Sequence, residues 1–588
     1  MNTRFYFYTI LAALWVASVS NFVIAQKHDY YMTLGYSSTT TTTIFGGTDI
    51  DFNTWPPSTS YVFRGMDFEY NAAAICDEQG NLLFYTNGCS INGPDHQEIL
   101  NGDSLNPGLV HDVFCYSGYR AEQGSTFIPH PTDPNLYYLF HLGLNIYDSI
   151  GGVGDRFYYS LLDKTLDNGH GGVVLKNQIL LEDTLAFGLI TMTRHANGRD
   201  WWIVVPEMST PKHYIFRLTP DGILGPETQV IGNIQFDDDG VGNAVFSPDG
   251  AKYARYDWYN QLDYFDFDRC TGTFSNPRHF SVLQPTDTFP EGGGVAFSPD
   301  SRFLYLSTFY KVFQYDTWAP DLKGSEQLIA TFDGSIIINS YTFFFIPQLG
   351  PDGRIYICSA SAVPIMHLIE WPNRLGTAAN VIQRGFPLPT YNARAMCFFP
   401  NYRLGPIDGS TCDTLGIDNH PLANFRWDTE DTLNQLNITF TDLSAYEPAT
   451  WLWDFGNGQT SQDASPIHTY ANPDVYNVCL TVSNIHGTDT ECKTLYIGVS
   501  SVENPSVESP IKVLPNPFSG ELTINLGEGM KNPIFRLYNQ LGVLISANSL
   551  TAGNTKLETG SLPAGVYFWE LLDSGKRINS GKVLKFGE

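Results

Sequence analysis

One phrase recurs along this chain and constrains its fold more than any other feature. Ser247-Pro-Asp-Gly follows the apolar run NAVF, and 51 positions later Ser298-Pro-Asp-Ser follows GGVAF. Each is succeeded by an alternating, aromatic-rich run (YARYD, FLYLST) and then by a second (LDYFD, KVFQYD). The phrase is a turn with a mechanism: proline presets φ, aspartate bonds nearby backbone, and glycine accepts a positive φ. Weaker copies are PDGRIYICSA from Pro351, HANGRDWWIVV from His195, HPTDPNLYYLF from His130 and CDEQGNLLFYTNG from Cys76, spaced by 51 to 63 residues. Strand, turn, strand, loop, strand is the grammar of a propeller blade. One such sheet cannot shield its own faces, so the copies must stack. Residues 30 to 405 accommodate about seven blades at this period, with six or eight allowed. NARAMCFFPNYRLGP, from Asn392, is expected to lie beside the N-terminal YYMTLGY and hide both sheet edges. An open β-solenoid is the alternative arrangement.

The same phrases, with FFPNYRLGPIDGSTCDTLGID, resemble the N-terminal half of large secreted Bacteroidetes proteins with WD40-like or kelch-like propellers. That resemblance implies a fold and names no substrate. The whole chain is read as all-β. A signal peptide covers 1–25, a β-propeller 26–405 and a linker 406–420. An Ig-like, PKD-like β-sandwich covers 421–498, a second linker 499–510 and a small C-terminal β-sandwich 511–588.

Composition agrees with strands. Aromatics make up 14% of the 588 residues and charged residues only 16%, a balance that favours sheets and tight turns. The formal charge of −28, from 61 acidic and 33 basic residues, repels phosphate backbones and argues against a nucleic-acid partner. It suits solubility outside a cell. Bound divalent cations are the sharper alternative, with Asp237, Asp238 and Asp239 as a weak calcium-binding run that lacks EF-hand spacing. No other cofactor is expected. Arg4 precedes a long apolar run that ends at Ala25, before Gln26, so export with cleavage between those two residues is expected, with no transmembrane anchor.

Nine cysteines are scattered without zinc spacing. Most are expected to act as small buried hydrophobes. Cys479 and Cys492 flank the hairpin LTVSNIHGTDTE, so a disulfide between its strands is expected.

The segment from Asn424 to Gly498 alternates over short strands with frequent turn signals, as a small sandwich does. WLWDFGNG, SPIHTY and VYNVCLTVSN resemble a PKD domain, and DGSTCDTLGIDNHPLA before them reads as a hinge. The matching residues are Trp451, Trp453, Asp454, Gly456 and Gly458. The two tryptophans are expected to face opposite sides, one entering the core. Asn457 stands where the family has Asp, which weakens any cation site, and Asp474 where it has a turn Gly. The family implies a spacer or contact module.

VLPNPFSGELTINL, FRLYNQLGVLI and LPAGVYFWELLDSGKRINSGKVLKFGE resemble the type A sorting domain of the type IX secretion system. Its motif falls on Pro515, Asn516, Pro517, Gly542, Gly565, Tyr567, Gly581 and Lys582. The resemblance implies type IX secretion machinery and a sortase as partners, a cut near Ser500–Pro510, and a secreted or outer-surface location.

No GxSxG, HExxH or P-loop is present, and the scattered histidines share no spacing. The leading expectation is a non-catalytic adhesion or binding protein whose propeller presents a surface to a glycan or a surface protein. The alternative is an extracellular polysaccharide hydrolase or lyase with acids at the propeller axis.

Overall fold

The computed structural model describes residues 26–38, 44–147, 151–233, 242–259, 261–282, 292–429, 436–497, 511–514, 518, 521–526, 531–539, 544–551, 553–560, 562–563, 565–573 and 576–585. Two compact units divide the chain, one ending at Ile497 and the other beginning at Gly498.

Seven blade sheets succeed one another in the propeller, each an antiparallel meander, with a two-stranded sheet (Ile336–Ile337, Ser340–Tyr341) between the sixth and the seventh. Blades one and two begin with Tyr31–Tyr36 and Ala73–Cys76 and carry three strands of their own. Blades three to seven carry four strands and begin with Ser125–Pro129, Thr191–Arg194, Gly242–Phe246, Gly293–Phe297 and Pro347–Leu349. Those first strands are short and almost wholly buried, because they face the ring interior and both neighbouring blades. The side-chain amide of Asn243 extends this contact, pairing with the N–H and C=O of Val295 on the next blade at 2.7 and 3.0 Å.

The ring closes where the repeat pattern places its ends. The outermost strand of blade seven, Val381–Asn392, meets blade one through Thr390 and Thr48, whose hydroxyls are 2.7 Å apart. Tyr391 N–H donates to Ile44 O at 3.0 Å. Cys397 then bridges in parallel to Ala72 and donates its thiol to Thr33 O. Blade one therefore draws on both termini of the propeller, which joins the ends of the ring.

Antiparallel pairing sorts the connections. Turns from first to second and from third to fourth strands collect at one end of the ring. Turns from second to third strands, and passages from blade to blade, collect at the other.

The PKD-like sandwich packs a three-stranded sheet (Phe425–Asp428, Asn437–Asp442, Ile467–Thr469) on a four-stranded one. Its core gathers Phe425, Phe440, Trp453, Phe455, Val478 and Leu480. Trp451 and Trp453 share a face, which corrects the expectation that they oppose each other: side chains two apart in a strand point the same way. Trp453 is fully buried, Trp451 packs at the core margin, and Leu452 between them is exposed. Asp474 takes no turn conformation; it opens the extended strand Asp474–Asn484.

Two of the three disulfides, Cys89–Cys115 and Cys270–Cys412, depart from the expectation of small buried hydrophobes, while Cys479–Cys492 is the disulfide expected across its hairpin. Only Cys76, Cys358 and Cys397 are buried thiols. Pairing across 142 residues leaves no trace in local sequence.

The second unit is a sandwich of a three-stranded and a four-stranded sheet. Phe518, Leu522, Phe535, Leu537, Tyr567 and Leu571 fill it.

Candidate functional site at the two ends of the ring axis

The recurring turns lie at one end of the ring, and that end is covered. Gly198, Gly250 and Gly353 have φ of 74, 71 and 76°, the left-handed region that favours glycine. The same glycines also leave room. A Cβ on Gly198 would stand 2.6 Å from Pro406 Cδ, one on Gly250 3.0 Å from Leu404 and one on Gly353 2.7 Å from Leu443. The connector after the propeller and the PKD-like domain therefore rest directly on the turns that define the repeat.

The segment expected to be a hinge is fastened along its length. Arg269 donates to Gly405 O, Ile407 N–H to Ala196 O, and Cys412 is bonded to Cys270 on blade five. Asn419 Nδ2 returns to Pro406 O at 3.0 Å, and His486 lies 2.8 Å from Asp408. A second anchor forms at blade seven. Arg354 Nη2 contacts Glu370 at 2.6 Å and Asp428 at 2.8 Å, while Arg426 Nη1 contacts the same two carboxylates at 3.2 and 3.3 Å. Trp55 lies under Arg354 and donates its indole N–H to Trp427 O at 2.6 Å. Arg426 and Glu370 are buried, Arg354 and Asp428 half-buried, and the buried carboxyl of Asp352, raised by burial with Arg354 and Arg426 opposing the rise, lies beside them.

Between ring and sandwich lies a cavity of about 580 Å³. Thr126, Thr193, Phe246 and Gln348 form its walls and the loop Leu443–Pro448 its roof. Tyr446 and Glu447 in that roof have φ of 62 and 54°, and Asn484 Nδ2 secures them through Tyr446 O, Glu447 O and Asn419 O. Among the described residues, four of the five carboxylates that line the cavity are engaged. Asp29 pairs with Arg403 at 2.6 Å, Asp249 and Asp300 cap their own turns, and Asp442 accepts from Trp451 Nε1 at 2.7 Å. No histidine lines it.

Gln123 crosses the ring interior. Its amide donates to Ala244 O at 2.7 Å and accepts from Ala244 N–H at 2.8 Å, joining blade three to blade five. Beyond it, toward the free end, stands Glu122, which is buried and 3.7 Å from Arg394. Burial pushes the Glu122 carboxyl up to about 7, with Arg394 opposing the rise. Arg120 and Arg394 both lie over the Tyr70 ring, at 5.4 and 5.8 Å.

The free end is also where the aromatics surface. Among the described residues seven large aromatic side chains are exposed on the propeller, and six of them (Tyr61, Phe63, Tyr116, Tyr259, Tyr310, Tyr341) lie at or beside free-end connections; Trp318 is the seventh. On blade six they form a wall: Tyr341 stacks on Phe343 at 5.0 Å, and Phe309 and Tyr310 contact the same ring at 5.6 and 5.2 Å.

Other residues singled out from sequence disperse. Gln26 sits at the covered end, accepting from Arg194 and Arg403. Ala25, Asp237, Asp238, Asp239, Pro515, Asn516, Pro517 and Gly542 lie outside the described residues. Asp454 accepts from Gly456 N–H at 2.9 Å, and Gly456 and Gly458 have φ of 73 and 84°, so these residues build a turn. Cys479 and Cys492 are register partners. Gly565 opens a strand, Tyr567 donates to Pro563 O at 2.8 Å, Gly581 lies under Trp569, and Lys582 is exposed. His141 is buried between Asn106 and Ser160 at 2.6 and 3.0 Å, and burial lowers its pKa to about 3. The site residues that sequence reading missed are Tyr70, Arg120, Glu122, Gln123 and Arg394. None belongs to a recurring phrase.

Residues 419–499 match the PKD domain and residues 512–585 the secretion system C-terminal sorting domain. The chain carries both. The sorting domain marks it for type IX secretion and for the cell surface or the medium. Among curated proteins it is similar to the pre-pro-metalloprotease PrtV of Vibrio cholerae, 37% identical over 78 residues; this is 13% of the chain and 8% of the protease's length. The crystal structure of the PKD1 domain of that protease is 34% identical, with 13% of this chain and 96% of that one covered and a TM-score of 0.12. The periplasmic gluconolactonase PpgL of Pseudomonas aeruginosa is 13% identical over 76% of this chain and 99% of its own, with a TM-score of 0.28. Among the described residues no helix is long and apolar enough to cross a membrane.

Proposed function

We propose that this is a secreted or surface-held binding protein whose ring recognises a glycan or a surface protein with its free end. The observation that carries this reading is the segregation of exposed aromatics to that end, while the PKD domain occupies the other. Tyrosine offers large contact area and a polar tip at low ordering cost, as recognition surfaces require. Blades hold the connecting loops in fixed relation, so little freedom is lost on binding. The PKD domain then serves as a seal and a rigid mount, fixed to the ring by buried ion pairs and a disulfide. The reading needs no cofactor. It leaves the sorting domain to the secretion machinery and a sortase.

The test is retention of the purified whole protein on cell surfaces, matrix proteins and insoluble polysaccharides. The triple variant Tyr259→Ala, Tyr310→Ala, Tyr341→Ala is expected to lose retention while its unfolding midpoint in denaturant moves little, about 0.5 kcal/mol per site. Retention unchanged in that variant, or absent from the wild type, defeats the reading. Release of reducing ends from a polysaccharide would replace it with the hydrolase or lyase alternative.

A further inference from the structure

We infer that the axial mouth at the free end is a subsite for one neutral, hydroxyl-rich sugar ring, formed by Glu122, Arg120 and Arg394 around Tyr70. The inference rests on the proposed function and selects the glycan arm of it.

Glu122 is 4% exposed, and its Oε2 has no hydrogen-bond partner. Its nearest cation, Arg394, is an ion-pair neighbour at 3.7 Å, beyond hydrogen-bond length. A buried acceptor left in this state costs about 1–3 kcal/mol, more if charged. The backbone supports its placement: Gln123 has φ 52°, and a Cβ on Gly188 would collide with Glu122 O. Strain of this kind gathers where a side chain is held for use.

The two arginines supply donors in a fixed frame. Arg120 lies 4.0 Å over Phe114 as well as over Tyr70, and Arg394 lies 5.9 Å over Phe345. A guanidinium held against aromatic rings presents its donors in a fixed fork. Arg120 Nε is buried without a partner, and no ion pair to Arg120 occurs among the described residues. Arg394 is 39% exposed and so opens the cluster to solvent.

A fixed acceptor and two fixed donors restrict the ligand chemistry. A hydroxyl both donates to a carboxylate and accepts from a guanidinium, and a sugar ring carries several. An anion would be repelled by Glu122 and by Glu69, whose charge, after burial, raises the pKa of the Tyr70 hydroxyl. A cation would meet two arginines.

The experiment is isothermal titration of the whole protein with cellopentaose, mannopentaose, xylopentaose and laminaripentaose, and with trigalacturonate as the acidic arm. At least one neutral oligomer is expected to bind, more tightly than trigalacturonate. Glu122→Gln, which keeps the shape, is expected to weaken it by about tenfold or more, since a hydrogen bond to a charged group contributes about 1.5–3 kcal/mol. Arg120→Gln should act in the same direction, and circular dichroism checks both folds. Tighter binding of trigalacturonate, no binding by any neutral oligomer, or affinity within twofold in both variants overturns the subsite. If surface retention still falls in the tyrosine triple variant while both axial variants bind normally, the proposed function stands and the subsite alone is lost.

Discussion

The two ends of the ring are built from the same blades and put to opposite uses. At one end the recurring turns from first to second strands are short and mostly glycine-bearing, and a second domain lies on them. At the other the passages from blade to blade are longer and irregular, with aromatic side chains at the surface. Regular turns present similar, closely spaced backbone that a partner domain can cover without gaps. Irregular connections vary in side chain, which recognition needs. Where the repeat is most evident, the molecule is sealed; where the repeat fails, it is open.

The largest expected effect breaks the seal. Arg426→Ala leaves Arg354 alone with Glu370 and Asp428 in a buried site, and losing one partner of such a network costs about 3–5 kcal/mol. Chemical denaturation should show the loss; an unchanged midpoint would mean that the PKD domain is not docked as described.

The next effect lies at the axis. The Glu122 carboxyl titrates near 4.5 in the unfolded chain but at about 7 in the folded one. Between those values the folded state holds more protons, so its stability falls as pH rises through this window, by at most about 3 kcal/mol. Buried His141, His213 and His367 are held below their usual range by desolvation and act in the opposite sense on acidification. The difference between wild type and Glu122→Gln cancels them. That difference should slope downward from pH 4.5 to 7, and a flat one would place the carboxyl in contact with water.

The smallest effect compares the ends directly. Gly334 at the free end has φ 81° with open space around its Cβ position, whereas Gly198 at the covered end meets Pro406. Gly334→Ala is expected to cost about 1 kcal/mol from φ alone, and Gly198→Ala about 1–3 kcal/mol more from overpacking. Equal losses in thermal unfolding would show that the connector does not press on the turns.

Much of the architecture was legible in residue order. A turn that presets its own dihedrals, followed by alternating strands, is encoded within about a dozen neighbours, so SPDG and its copies announce blades. Trp453 and its surroundings likewise announce the second sandwich. The candidate site was not legible. Glu122 and Arg394 lie far apart in the chain, outside every repeated phrase, and each alone resembles an ordinary loop charge. Asp249 and Asp300, which stand out in sequence, only cap their turns. The faces of Trp451 and Trp453 were misread although strand periodicity governs them.

Local chemistry thus determined the strands and their turns, because those depend on contacts between near neighbours; the repeat period allowed six to eight blades, and a family resemblance supplied the address at the C-terminus. Tertiary structure alone decided which end of the ring is covered, that Cys270 joins Cys412, and that an acid and two arginines share one aromatic ring. Those arrangements depend on closure, which brings together residues that no local interaction relates.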